Sequence, residues 1–118
     1  MTIPELLKAA QALAAEGHVD AKHIAGLAES ASKAEVQIAM CEVSIEDYER
    51  ATAARLAGLD GSGAAYERWS NAQQLLTSTR SEHRLLMEGL FFIREEVERQ
   101  IALGRHAKAK AAREEARA

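Results

Sequence analysis

Apolar residues return along most of this chain at intervals of three and four. From Ile24 through Leu27, Ala31, Ala34, Ile38, Cys41, Ile45, Tyr48, Thr52 and Arg55 the spacing is unbroken. It starts again at Ala65 and runs through Trp69, Ala72, Leu76, Thr79, His83, Leu86, Leu90, Ile93 and Val97. A helix has 3.6 residues per turn, so this spacing keeps one side of each helix apolar, as in the a and d positions of a coiled coil. Between the stripes lies Gly58-Leu59-Asp60-Gly61-Ser62-Gly63, the only glycine cluster in the sequence, which reads as a turn with Ser62 capping the next helix.

Folding the stripes together at that turn gives a test. In an antiparallel pair, facing residues have numbers with a nearly constant sum, and here the sums alternate between 121 and 120. The implied layers run from Ile24 with Val97 and Leu27 with Ile93, through Ala31 with Leu90 and Ala34 with Leu86. They continue as Ile38 with His83, Cys41 with Thr79, Ile45 with Leu76, Tyr48 with Ala72, and Thr52 with Trp69. Small side chains repeatedly face large ones, which lets a narrow seam reach native packing density.

A shorter helix precedes the hairpin. Thr2 reads as its cap, Pro4 suits the first turn, and Glu5 completes a capping box. Leu6, Leu7, Ala10, Leu13 and Ala14 form its apolar face, Gly17 ends it, and Asp20 caps the next helix. The segment Leu85 to Ile93 is apolar on several sides, so the first helix is expected to fold back and cover Met87, Phe91 or Phe92. The expected fold class is all-α: a long antiparallel helical hairpin, coiled-coil-like, with a short N-terminal helix packed at its open end as a three-helix bundle. The expected division is a helical domain over 1–104, with Gly104 marking where the last helix weakens, and a basic helical or frayed tail over 105–118.

Composition agrees with this picture. In 118 residues, 47% are hydrophobic but only 4% aromatic, with seven glycines and one proline, the bias of long alanine-rich helices. Cys41 is the single cysteine, which excludes an intramolecular disulfide and fits a reducing compartment. The N-terminus lacks the basic and apolar regions of a secretion signal. No apolar run approaches the roughly 20 residues needed to span a bilayer. A cytoplasmic protein without membrane contact, of bacterial or phage type, is expected.

Candidate chemistry is sparse. There is no glycine-rich phosphate loop, nucleophile elbow or zinc-protease helix. Glu95, Glu96 and Glu98 are adjacent rather than convergent and read as a solvated face. His83 with Cys41 makes two ligands, too few for zinc, and a buried histidine hydrogen-bonded to a neighbour is the expected arrangement. His18 and His23 flank Asp20 too sparsely for a metal site. The expectation is therefore no enzyme, no cofactor and no metal.

What remains is surface. Val36, Met40 and Val43 form a second apolar stripe off the seam, suited to a homodimer contact in a four-helix assembly. Glu35, Glu42 and Glu49 recur every seven residues, with Arg80 and Arg84 opposite them in the proposed register, a pattern for cross-hairpin pairing. Asp60 and Tyr66, near the hairpin tip, join the stripe as candidate protein-binding residues. A tip acid resembles, in outline, the coiled-coil fingers that carry acidic tips into RNA polymerase, but those use further acids or a zinc site that this chain lacks. The tail residues Arg105, Lys108, Lys110, Arg113 and Arg117 against Glu114 and Glu115 give it a net +3, leaving −6 for the rest. The expected function is a non-catalytic protein–protein interaction module acting through helical surfaces: an adaptor, a chaperone-like subunit, or a small phage- or plasmid-type inhibitor of a host complex. The alternative is a nucleic-acid-associated regulator that uses the basic tail.

Overall fold

The computed structural model describes residues 1–117, which form three helices in the order α1 (Ile3–Ala15), α2 (Ala21–Ala57) and α3 (Gly63–Arg117). The all-α hairpin bundle expected from the periodicity is the observed fold. Each helix boundary has a local cause. At α1 the Thr2 hydroxyl accepts the Glu5 backbone N–H at 3.3 Å while donating to the Glu5 carboxylate at 3.0 Å, a side-chain cap in which the carboxylate is held by the hydroxyl and not by the Thr2 N–H of a full capping box. Gly17, at φ +81°, lets the chain leave α1 through a left-handed turn in which the Gly17 and His18 N–H groups donate to the Ala14 and Leu13 carbonyls. Asp20 accepts the Lys22 N–H at 3.0 Å and so starts α2. Gly61, at φ +85°, makes the corresponding reversal after α2, and Ser62 Oγ caps α3 by accepting the Ala65 N–H at 3.2 Å.

The chain divides into two compact units. The first comprises Met1–Lys33 and Gly89–Ala118. Its core is Leu6, Ala10 and Leu13 of α1, Ile24 of α2, and Val97 and Ile101 of α3, with Leu27, Ile93 and Val19 packed against them. Ile24 and Val97, paired in the proposed register, are the largest fully buried side chains. Alanine at position 10 is also fully buried, where a larger side chain would hold the helices apart.

Two expectations fail in this unit. Helix α1 does not cover Phe91 or Phe92, both of which are exposed, and Met87, in the second unit, is exposed as well. Helix α1 lies against the next stretch of α3: the Arg94 guanidinium donates to the Met1 carbonyl, and Leu13 lies beside Gly104. Thirteen residues span about 20 Å of helix. Tied to α2 by the short link at Glu16–Asp20, α1 is used up between Gly104 and Arg94. Gly104 is also not a weak point. Helix α3 runs through it to Arg117, and a β-carbon there would lie 2.8 Å from Val19 Cγ1 and 3.0 Å from Leu13 Cδ1. The glycine is where α3 admits the α1–α2 corner.

The second unit, Ala34–Glu88, is a two-helix hairpin around the turn. Ile38 and Cys41 of α2 and Ala65, Ala72 and Leu76 of α3 are buried, while Ile45, Tyr48, Thr52, Trp69, Thr79, His83 and Leu86 are half-buried. These are the seam positions read from the spacing. The stripe stops at Thr52, because Arg55 is exposed. Arg80 donates to Glu49 at 2.8 Å and His83 Nε2 lies 3.3 Å from Glu42 Oε1, so α2 and α3 run antiparallel with the acidic row beside the seam.

Candidate functional site

Each candidate residue has a defined setting. In the second unit, Val36, Met40 and Val43 are 60, 65 and 62% exposed and, with Ala39 and Ser44, line a shallow apolar groove along the outside of α2. Each sits two residues beyond a seam position (Ala34, Ile38, Cys41), about 200° around the helix. The stripe therefore faces away from the seam. Tyr66 is exposed and lies against Trp69, ring centres 5.8 Å apart. Asp60 is committed to the turn: its carboxylate accepts the Ser62 N–H at 2.9 Å, and hydrogen bonds from Ser62 hold it below the usual carboxylate range. Helix α3 exposes Leu75 and Leu85 in the same unit.

Burial pushes the Cys41 thiol up, and the Glu82 charge adds to the effect, so the thiol is kept protonated within the seam. The expected buried His83 is instead at the seam's edge, half-exposed, and its partner is Glu42 rather than Cys41 or Thr79. The Thr79 hydroxyl turns back to the Leu75 carbonyl at 2.8 Å. Seam position alone placed the imidazole inward, but its length lets the polar edge reach the Glu42 row and water.

In the first unit, Phe91 and Phe92 are 56 and 64% exposed and meet edge to face at 6.2 Å. These are the only phenylalanines in the sequence. The sequence marks them as residues requiring cover, but α1 does not supply it. Glu96 is likewise more than a solvated acid. It accepts from Arg99 at 2.7 Å and from Gln100 at 3.0 Å, and it meets His23 Nε2 at 3.0 Å. The hydrogen bonds from Arg99, His23 and Gln100 hold its carboxyl far below the ordinary value. The cluster ties the start of α2 to α3, a structural role for His23 that its neighbours in sequence did not suggest. A shallow open groove between α1 and α3 is lined by Met1, Leu6, Ala9, Arg94 and Ile101.

The basic tail is helical as far as Arg117. Lys108 pairs with Glu16 at 2.9 Å, which lowers the Glu16 pKa, and Arg113 donates to the Ala109 carbonyl at 3.4 Å. Arg105, Lys110 and Arg117 are exposed. Among the described residues, no group of three or more His, Cys, Asp or Glu side chains is placed to hold a metal ion, and no helix is long and apolar enough to cross a membrane.

With this geometry defined, comparison with protein-family models, curated proteins and solved structures finds no match for the chain.

Proposed function

We propose that this chain is a non-catalytic protein-binding module that works through exposed apolar helix faces. The observation that carries the reading is the position of the phenylalanines. Both stand on the surface, while buried seam positions include Ala31, Ala65 and Ala72. Fully burying one such ring contributes about 1.5–3 kcal/mol, and aromatic residues and methionine are enriched at interface cores. An exposed pair at this density fits insertion into an apolar groove of a partner protein. The Val36–Met40–Val43 face offers a further docking surface in the second unit. An adaptor, a chaperone-like subunit or a small inhibitor of a larger complex would each use such faces. A reducing, cytoplasmic setting suits a chain whose one thiol is buried.

The test is affinity capture from the native host by the wild-type chain and by a Phe91→Ser/Phe92→Ser variant. Because both rings are exposed, the variant is expected to melt within a few degrees of wild type while losing the captured partner. A partner retained at undiminished affinity would remove the phenylalanine face from the reading.

A further inference from the structure

We propose that the outer face of α2 takes a second copy of this chain, antiparallel, about a two-fold axis passing at Met40. The inference rests on the reading of that face as a docking surface and names its occupant. Helix α2 is one uninterrupted helix, and it carries a second stripe of unbroken 4–3 spacing: Glu29, Lys33, Val36, Met40, Val43, Asp47 and Arg50. The three apolar members are each 60% or more exposed. The charges on either side are ordered. Outward from Met40 toward the N-terminus come a cation and then an anion, Lys33 and Glu29, 3.0 Å apart. Toward the C-terminus come anions and then a cation, Glu46 and Asp47 and then Arg50, at 2.9 and 3.5 Å.

That order is self-complementary only one way round. When facing numbers sum to 79 or 80, Val36 meets Val43 of the second copy, Met40 meets Met40, Lys33 meets Asp47, and Glu29 meets Arg50. The alternation by one is the same as in the intramolecular seam. A parallel copy would instead lay Glu29 on Glu29, Lys33 on Lys33 and Asp47 on Asp47, a row of like charges. Slipping the antiparallel pair by one heptad places Met40 against Lys33 or Asp47 and one valine against Glu29 or Arg50, leaving a single Val–Val contact. Apolar burial supplies the affinity, while the charges select direction and register. The contact from Glu29 to Arg50 runs about 30 Å along each helix. Methionine on the axis suits a self-pair, since its flexible thioether adjusts to an identical neighbour.

Sedimentation equilibrium of the full chain, with and without charge reversals, reads this directly. Wild type is expected to be a dimer that weakens with added salt. Glu29→Arg is expected to raise the dimer Kd about tenfold, and Glu29→Arg/Arg50→Glu to restore it. Disulfide trapping in a Cys41→Ala background adds the geometry. Met40→Cys is expected to link to itself, and Glu29→Cys and Arg50→Cys to link only when mixed. Efficient self-linking of Glu29→Cys would mean a parallel pair and overturn the proposal. So would a dimer indifferent to Met40→Glu, or a double reversal that fails to rescue. A wild-type chain that stays monomeric overturns the self-pairing but spares the docking face. That face falls separately, if Val36→Ser/Met40→Ser/Val43→Ser alters no partner capture.

Discussion

Thr52 and Trp69 pose a residue-scale problem that the fold does not solve. The Thr52 hydroxyl and the Trp69 indole N–H are both buried in the second unit without a hydrogen-bond partner. They are the last layer of the proposed register before the turn. A buried polar group without a partner costs about 1–3 kcal/mol, whereas an apolar group of the same shape avoids that cost. Thr52→Val keeps the branched shape and removes the orphan oxygen. It is expected to stabilise the chain by about 1 kcal/mol, raising the thermal midpoint by a few degrees. A lower midpoint would mean that the hydroxyl has a partner in solution. The spacing placed both residues in the seam correctly, but spacing reports only which side of a helix faces inward. Whether two facing polar atoms meet depends on tenths of an ångström that no periodicity encodes.

Helix α3 shows at the element scale how two similar residues can have opposite roles. Gly89 and Gly104 both interrupt good helix formers, and glycine inside a helix costs about 1 kcal/mol relative to alanine. A β-carbon at Gly89 would meet nothing within 4 Å. Gly89→Ala is therefore expected to stabilise by about 0.5–1 kcal/mol. At Gly104 the same atom would press on Val19 and Leu13, both part of the first unit's core packing. Gly104→Ala is expected to fall below wild type, the lost fit outweighing the gain in propensity. Thermal melts of the two variants check this, and equal gains would show that the α1–α2 corner yields freely. In the sequence Gly104 looks like a helix end, because glycine after a periodic run usually is one. Its use as a packing surface requires knowing that α1 returns to it.

Across the whole molecule, burial is unevenly distributed. The first unit has a three-helix core with fully buried Ala10, Ile24 and Val97. In the second unit, every residue of 53–64, on both sides of the turn, is exposed. Local opening takes least free energy where few apolar contacts are lost. Native-state hydrogen exchange is therefore expected to be fastest for amides in the last turn of α2 and the first turns of α3. It should be slowest around Ile24, Val97 and Ile101. Uniform protection would contradict this and imply cover for the turn end, such as that supplied by a bound protein.

The sequence by itself determined the helices, their caps, the turn and the seam. All of these depend on residues close together in the chain or on a period that one helix imposes. The Thr2 cap, the Gly61 reversal and the inward set from Ile24 to Thr52 follow from backbone geometry and the need to bury one face. The acidic row and Arg80 were legible for the same reason, since antiparallel register follows from the turn. Only the tertiary structure decided where α1 ends its return. That choice buries Ile101 and Gly104, leaves Phe91 and Phe92 bare, and brings His23 to Glu96. It depends on the length of a thirteen-residue helix and the reach of its short link, a fit in three dimensions between surfaces distant in sequence. The candidate binding faces are divided in the same way. The α2 stripe is visible as a second period, whereas the phenylalanine face exists because α1 stops one turn short of it.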